Sequence, residues 1–71
     1  MPGSNPLIDD TALRIVTLLS EGYTAPQIAA KLGYGERTIS SRISKLRALT
    51  GARTTAHLVA IAFRRRWLNG K

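Results

Sequence analysis

Arg37, Ser40, Ser41, Ser44 and Lys45 are the residues whose types and spacing point most directly to a chemistry. They lie within the stretch from Tyr34 to Leu49, which reads as a single helix with two faces. At about 100° per residue, Ile39, Ile43 and Leu46 share one narrow stripe, with Leu49 at its edge. The five polar residues spread over the other side. That side has two cations, three short hydroxyl side chains and no carboxylate after Glu36. An ordinary solvated helix face mixes both signs of charge. A face of serines and cations suits an anionic, sterically crowded partner, and the major groove of B-DNA admits a helix of this kind.

The charge of the whole chain agrees. The net charge is +7, with eleven Lys and Arg against four acids. Residues 1–30 hold Arg14 against Asp9, Asp10 and Glu21, a balance of −2. Residues 31–71 hold ten bases against Glu36 alone, a balance of +9. A basic half beside a faintly acidic one is the footprint of a polyanion binder. Nucleic acid is the first candidate and an anionic membrane surface the second.

Catalytic and metal chemistry find little to work with. There is no cysteine, so no disulfide framework and no thiolate metal site. His57 is the only histidine, too few for a metal cluster. It has no thiol to activate and no acid nearby in sequence. A 71-residue chain makes one small domain that buries only about 60% of its unfolded surface. A pocket of roughly 300 Å³ is not expected in it. The expectation is therefore no enzyme, no cofactor and no metal. No apolar run approaches the roughly 20 residues that span a bilayer, and MPGSNPL has neither the basic nor the apolar region of a signal peptide. A cytoplasmic, nucleoid-associated protein is expected.

Four helices must position the polar face. Residues 1–7 read as a flexible lead-in, with Leu7 or Ile8 packing back as a hydrophobic staple. Asp9 caps a first helix that runs to about Ser20, with Ala12, Ile15, Val16 and Leu19 at the helical period and Gly22 beyond its end. Thr24 caps a short second helix, Ala25 to Leu32. Gln27 completes a capping box, and Pro26 falls in the first turn. Gly33 ends that helix, and Tyr34-Gly35 turns into the third helix, about residues 36–49. A short glycine-containing turn between a short helix and a longer one is a helix-turn-helix signature. Thr54 or Thr55 caps a fourth helix expected to run to Leu68. On it Leu58, Val59 and Ala62, with Phe63 beside them, are expected to face the core. His57, Ile61, Arg64 and Leu68 are expected on the opposite side, where two large aliphatics exceed what solvation needs. Residues 69–71 are expected to fray. No strand pattern and no internal repeat occurs. The expected fold is all-α: a four-helix bundle with a wingless helix-turn-helix over residues 8–68.

The run EGYTAPQIAAKLGYGERTISSRISKLRALTGARTTAHLVAIA resembles the LuxR-type, GerE-like helix-turn-helix family. The matches are Glu21-Gly22, Thr24, Ile28-Ala29, Leu32, Glu36-Arg37-Thr38-Ile39, Gly51-Ala52-Arg53 and Val59. Ile8-Asp9 stands where the family has Leu-Thr. The sequence departs from the pattern at Leu49-Thr50-Gly51, where Lys-Leu-Gly is frequent. It departs again at Arg42, where a histidine is frequent. Positions 40, 41 and 44 are all serine, which can pair with several bases. The resemblance implies bacterial transcriptional regulation, with the third helix in the major groove of double-stranded DNA and dimerisation through the fourth.

On this reading Thr24, Arg37, Thr38, Lys45 and Arg53 set position through phosphates, while Ser40, Ser41 and Ser44 point at base edges. His57, Ile61, Arg64 and Leu68 form the dimer surface. Arg42, beside the apolar stripe, lays its stem on the core. Arg64-Arg65-Arg66 with Trp67 reads as a phosphate clamp, a membrane-surface patch or a solvated end, and the helix dipole favours the last. Two alternatives stand beside this reading. One is a sigma-factor region-4-like domain that reads a promoter element and contacts RNA polymerase. The other is a basic module docking on an acidic protein or membrane.

Overall fold

The computed structural model describes residues 9–68. The expected lead-in, the staple at Leu7 or Ile8 and the fraying of 69–71 lie outside the described residues. The element order is α1 (Asp10–Ser20), α2 (Ala25–Leu32), α3 (Glu36–Thr50) and α4 (Thr55–Arg64). The fold is all-α, with no strand among the described residues.

The caps fall where the side chains dictate. Asp9 accepts from the Ala12 N–H at 2.9 Å. Thr24 and Gln27 form a reciprocal capping box, with Pro26 inside the first turn of α2. Thr54 caps α4 by accepting from the His57 N–H at 3.0 Å. Such a cap contributes about 0.5–2 kcal/mol, a large share in a domain of this size. Only α3 begins without a side-chain cap, at Gly35.

One core joins the four helices. The bulkiest fully buried residues include Ile15 of α1, Ile28 of α2, Ile39 of α3 and Leu58 of α4, one from each helix. Truncating any of these to alanine removes about 2–5 kcal/mol. α2 packs mainly on α3, and α4 packs on both α1 and α3. The α2–α3 connection is Gly33-Tyr34-Gly35, with Gly33 at φ 76°. Tyr34 N–H bonds back to the Ala29 carbonyl at 3.0 Å. The left-handed glycine lets the chain turn within three residues, and α3 then packs against α2.

α4 differs from the expectation in two ways. It ends at Arg64, not Leu68. Arg66 takes φ 61°, Trp67 N–H bonds to the Ala62 carbonyl at 2.9 Å, and the chain doubles back so that Leu68 is buried. A side chain in the left-handed conformation costs about 1–2 kcal/mol, and burying Leu68 offsets it. Second, Ile61 is buried and Phe63 is exposed, the reverse of their expected places. The cause is packing: α4 lies against both α1 and α3, and its buried arc is turned toward Ile61 and away from Phe63, with Leu58 and Ala62 inside it and Val59 half-buried. Ile61 and Leu68 are therefore core residues and present no surface for a partner.

Candidate nucleic-acid interface

The outer face of α3 is built from below. Ile39, Ile43 and Leu46 are buried against the other helices. With that stripe fixed, Arg37, Thr38, Ser40, Ser41, Ser44 and Lys45 all stand exposed. The helix is 15 residues long, about 22 Å at 1.5 Å per residue. It spans a body whose extents are 28 × 25 × 22 Å. Glu36 sits in the first turn, where its charge suits the helix dipole. No other carboxylate lies on α3, so the rest of the face is cationic or neutral.

Other exposed groups lie in the segments before and after α3. Thr24 is exposed at the start of α2. Its hydroxyl is already engaged with Gln27, but capping leaves neighbouring first-turn N–H groups free for an anion. Tyr34, in the turn between α2 and α3, is 42% exposed. Arg53 lies in the α3–α4 loop, held from both sides. Its carbonyl accepts from the Arg47 guanidinium at 2.6 Å, and its N–H donates to His57 Nδ1 at 3.2 Å. Arg42 pairs with Asp9 at 3.5 Å, both side chains being partly exposed.

Two residues of this region were not singled out by the sequence reading. Ala48 is exposed on the same meridian as Ser41 and Ser44. Its spacing of seven and four residues from them was the available signal. Arg47 positions Arg53, a contact across a loop that helical periodicity does not encode.

An open apolar groove of about 330 Å³ runs beside the face, lined by Ala12, Arg42, Lys45, Leu46, Ala48 and Leu49. This corrects the expectation that the domain is too small for a hollow of that size. The groove has no histidine and no carboxylate in its lining, so it lacks a general acid–base pair. Among the described residues no group of histidines, cysteines or carboxylates is placed to hold a metal ion. No described helix is long and apolar enough to cross a membrane.

The residues expected at a dimer surface do not stay together. His57 and Arg64 are exposed, whereas Ile61 and Leu68 are in the core. The exposed face of α4 is instead Ala56, Ala60 and Phe63, with His57 and Arg64 together on one side of it. Phe63 is 48% exposed.

A short α2, a tight left-handed turn and a longer α3 with an acid-poor outer face define a helix-turn-helix domain of the DNA-binding type. Residues 9–53, more than half of the chain, match the homeodomain-like domain family, and the chain belongs to it. The matched stretch covers α1 to α3 and ends in the loop before α4. Neither a curated protein nor a solved structure matches the chain.

Proposed function

We propose that the domain is a LuxR-like, sequence-specific DNA-binding module of a bacterial transcription regulator, with α3 seated in the major groove. One observation carries the reading. The exposed residues of α3 are cations, hydroxyls and an alanine, apart from Glu36 at the helix start and Leu49 near its end, at the edge of the buried Ile39–Ile43–Leu46 stripe. Arg37, Thr38 and Lys45, with Thr24 and Arg53 flanking, reach phosphates. Ser40, Ser41 and Ser44 are short and meet base edges only when the helix lies deep in the groove. The domain works as a dimer on two half-sites, and α4 supplies the contact through Ala56, Ala60 and Phe63. Small residues at 56 and 60 allow close approach, and a two-fold axis makes such a patch self-complementary.

The test is a salt titration on duplex DNA. A protomer making about four to six phosphate contacts gives a log–log slope near −4 to −5. A slope near zero rules out DNA as the partner.

A further inference from the structure

All four helices end on the same hydrogen bond, in which an N–H reaches back five residues. The pairs are Tyr23 to Leu18 at 3.1 Å, Tyr34 to Ala29 at 3.0 Å, Ala52 to Arg47 at 3.0 Å and Trp67 to Ala62 at 2.9 Å. Each needs a left-handed residue just before the donor. Three times that residue is glycine: Gly22, Gly33 and Gly51, at φ 96°, 76° and 77°. The fourth time it is Arg66, at φ 61°. A Cβ is disfavoured in this conformation, so the turn itself would be better served by a fourth glycine.

Arg66 is one of three. Arg64, Arg65 and Arg66 are all exposed, and the Arg65 guanidinium lies 5.7 Å from the centre of the Trp67 ring. Among the described residues the salt bridge found is Arg42 with Asp9, so none of the three has a carboxylate partner. The helix dipole favours cations in the last turn, and Arg64 and Arg65 satisfy it without strain. It gives no reason for a third cation in a conformation that penalises any side chain. The turn is also anchored. Leu68 is buried and Trp67 half-buried directly after it, so the three guanidiniums project from a fixed bend rather than a fraying end.

Arginine binds phosphate through paired N–H groups in a planar fork, and a fixed display of several such forks fits a row of phosphodiesters. A lipid surface is served less well. Of the apolar residues beside the arginines, Leu68 is buried and Trp67 half-buried, which leaves Phe63, 48% exposed, as the one large side chain free to insert. We propose that the Arg64–Arg66 turn is a second phosphate-binding site, engaging the DNA backbone outside the stretch that α3 covers. This rests on the DNA-binding reading of α3.

Arg66→Gly tests it, because the two roles of the residue predict opposite signs. The melting temperature should rise by several degrees as the left-handed strain is relieved. Affinity for a long duplex should fall several-fold, and the salt slope should shrink by about 1. Arg66→Lys should keep the binding and gain no stability. The Arg66→Gly loss should disappear on the shortest duplex that the wild-type protein still binds. A stabilised Arg66→Gly with an unchanged slope overturns the second site and leaves the α3 reading standing. So does an equal loss on the shortest duplex. A wild-type slope near zero fails the α3 reading itself. Binding to anionic lipid vesicles that Arg66→Gly abolishes, with DNA affinity unchanged, overturns the proposal in favour of a membrane.

Discussion

α3 and α4 stand on the same core and turn very different faces outward. α3 buries Ile39, Ile43 and Leu46 and shows Arg37, Ser40, Ser41, Ser44 and Lys45. α4 buries Leu58, Ile61 and Ala62 and shows Ala56, Ala60 and Phe63, with His57 and Arg64 together on one side. Both faces hold small side chains, which let another surface come close. On α3 the small residues carry hydroxyls between cations, so the close surface should be anionic and rich in hydrogen-bonding groups. On α4 they are methyl groups beside an exposed phenyl ring, so the close surface should be apolar. The same device, a helix stripped of bulk on its outer side, thus suits nucleic acid in one case and protein in the other. The chemistry at the tips of the side chains makes the difference.

The sharpest way to break this comparison is to charge the apolar face. Ala60 is exposed at its centre, and Ala60→Glu removes nothing from the core. On a palindromic duplex the variant should lose the gain from linked half-sites, about a hundredfold. On a single half-site it should bind as the wild type does. Gel-shift titration on both duplexes, with sedimentation to count protomers, makes the check. Unchanged affinity and a 2:1 complex on the palindrome would show that α4 is not the dimer contact.

Next in size is the neutral part of the α3 face. Ser41 lies almost opposite the buried stripe. Ser41→Ala should cost roughly 1–3 kcal/mol on the preferred site alone, provided that the hydroxyl reads a base, and should leave the salt slope as it was. Ser41→Leu should cost more, because a larger side chain lifts the helix out of the groove. Binding-site selection followed by competition titration measures both. A Ser41→Leu variant that binds the preferred site as tightly as wild type would place this face outside the groove.

The two helices also differ in how much of them could be read from the chain. α1, α2 and α3 follow from periodicity and caps. α1 and α2 have the side-chain caps Asp9 and Thr24, α3 starts from the Tyr34-Gly35 turn, and each is followed by a glycine in the left-handed region: Gly22, Gly33 and Gly51. α4 has a start signal in Thr54 but no glycine at its end, because Arg66 takes the left-handed place. Without that mark the helical pattern carries on to Leu68. The inward face of α4 has a separate cause. Periodicity does not fix which way a helix of mostly apolar residues turns its buried arc, and packing against both α1 and α3 draws Ile61 inside and leaves Phe63 outside. The outer face of α3 was legible because it depends on local spacing alone. The Arg47 contact that holds Arg53 was not, since it depends on how the loop folds over.

The smallest effect belongs to the charged part of the α3 face, and it is the one that separates positioning from reading. Arg37 stands in the first turn of α3, exposed and with no carboxylate partner found among the described residues. Its long stem and terminal charge suit a phosphate, which looks the same at every base pair. Arg37→Ala should therefore weaken binding to all duplexes alike, by a few-fold, and lower the salt slope by about 1. The ratio of preferred to random sequence should stay fixed. Ser41→Ala should do the opposite, changing the ratio and sparing the slope. Lys45→Ala should behave as Arg37→Ala does, because Lys45 also ends in charge on the exposed face. Salt titrations of all three variants on one preferred and one random duplex make the comparison. If Arg37→Ala changes the ratio and leaves the slope alone, Arg37 reads a base, and the division of α3 into cations that position and serines that read is wrong.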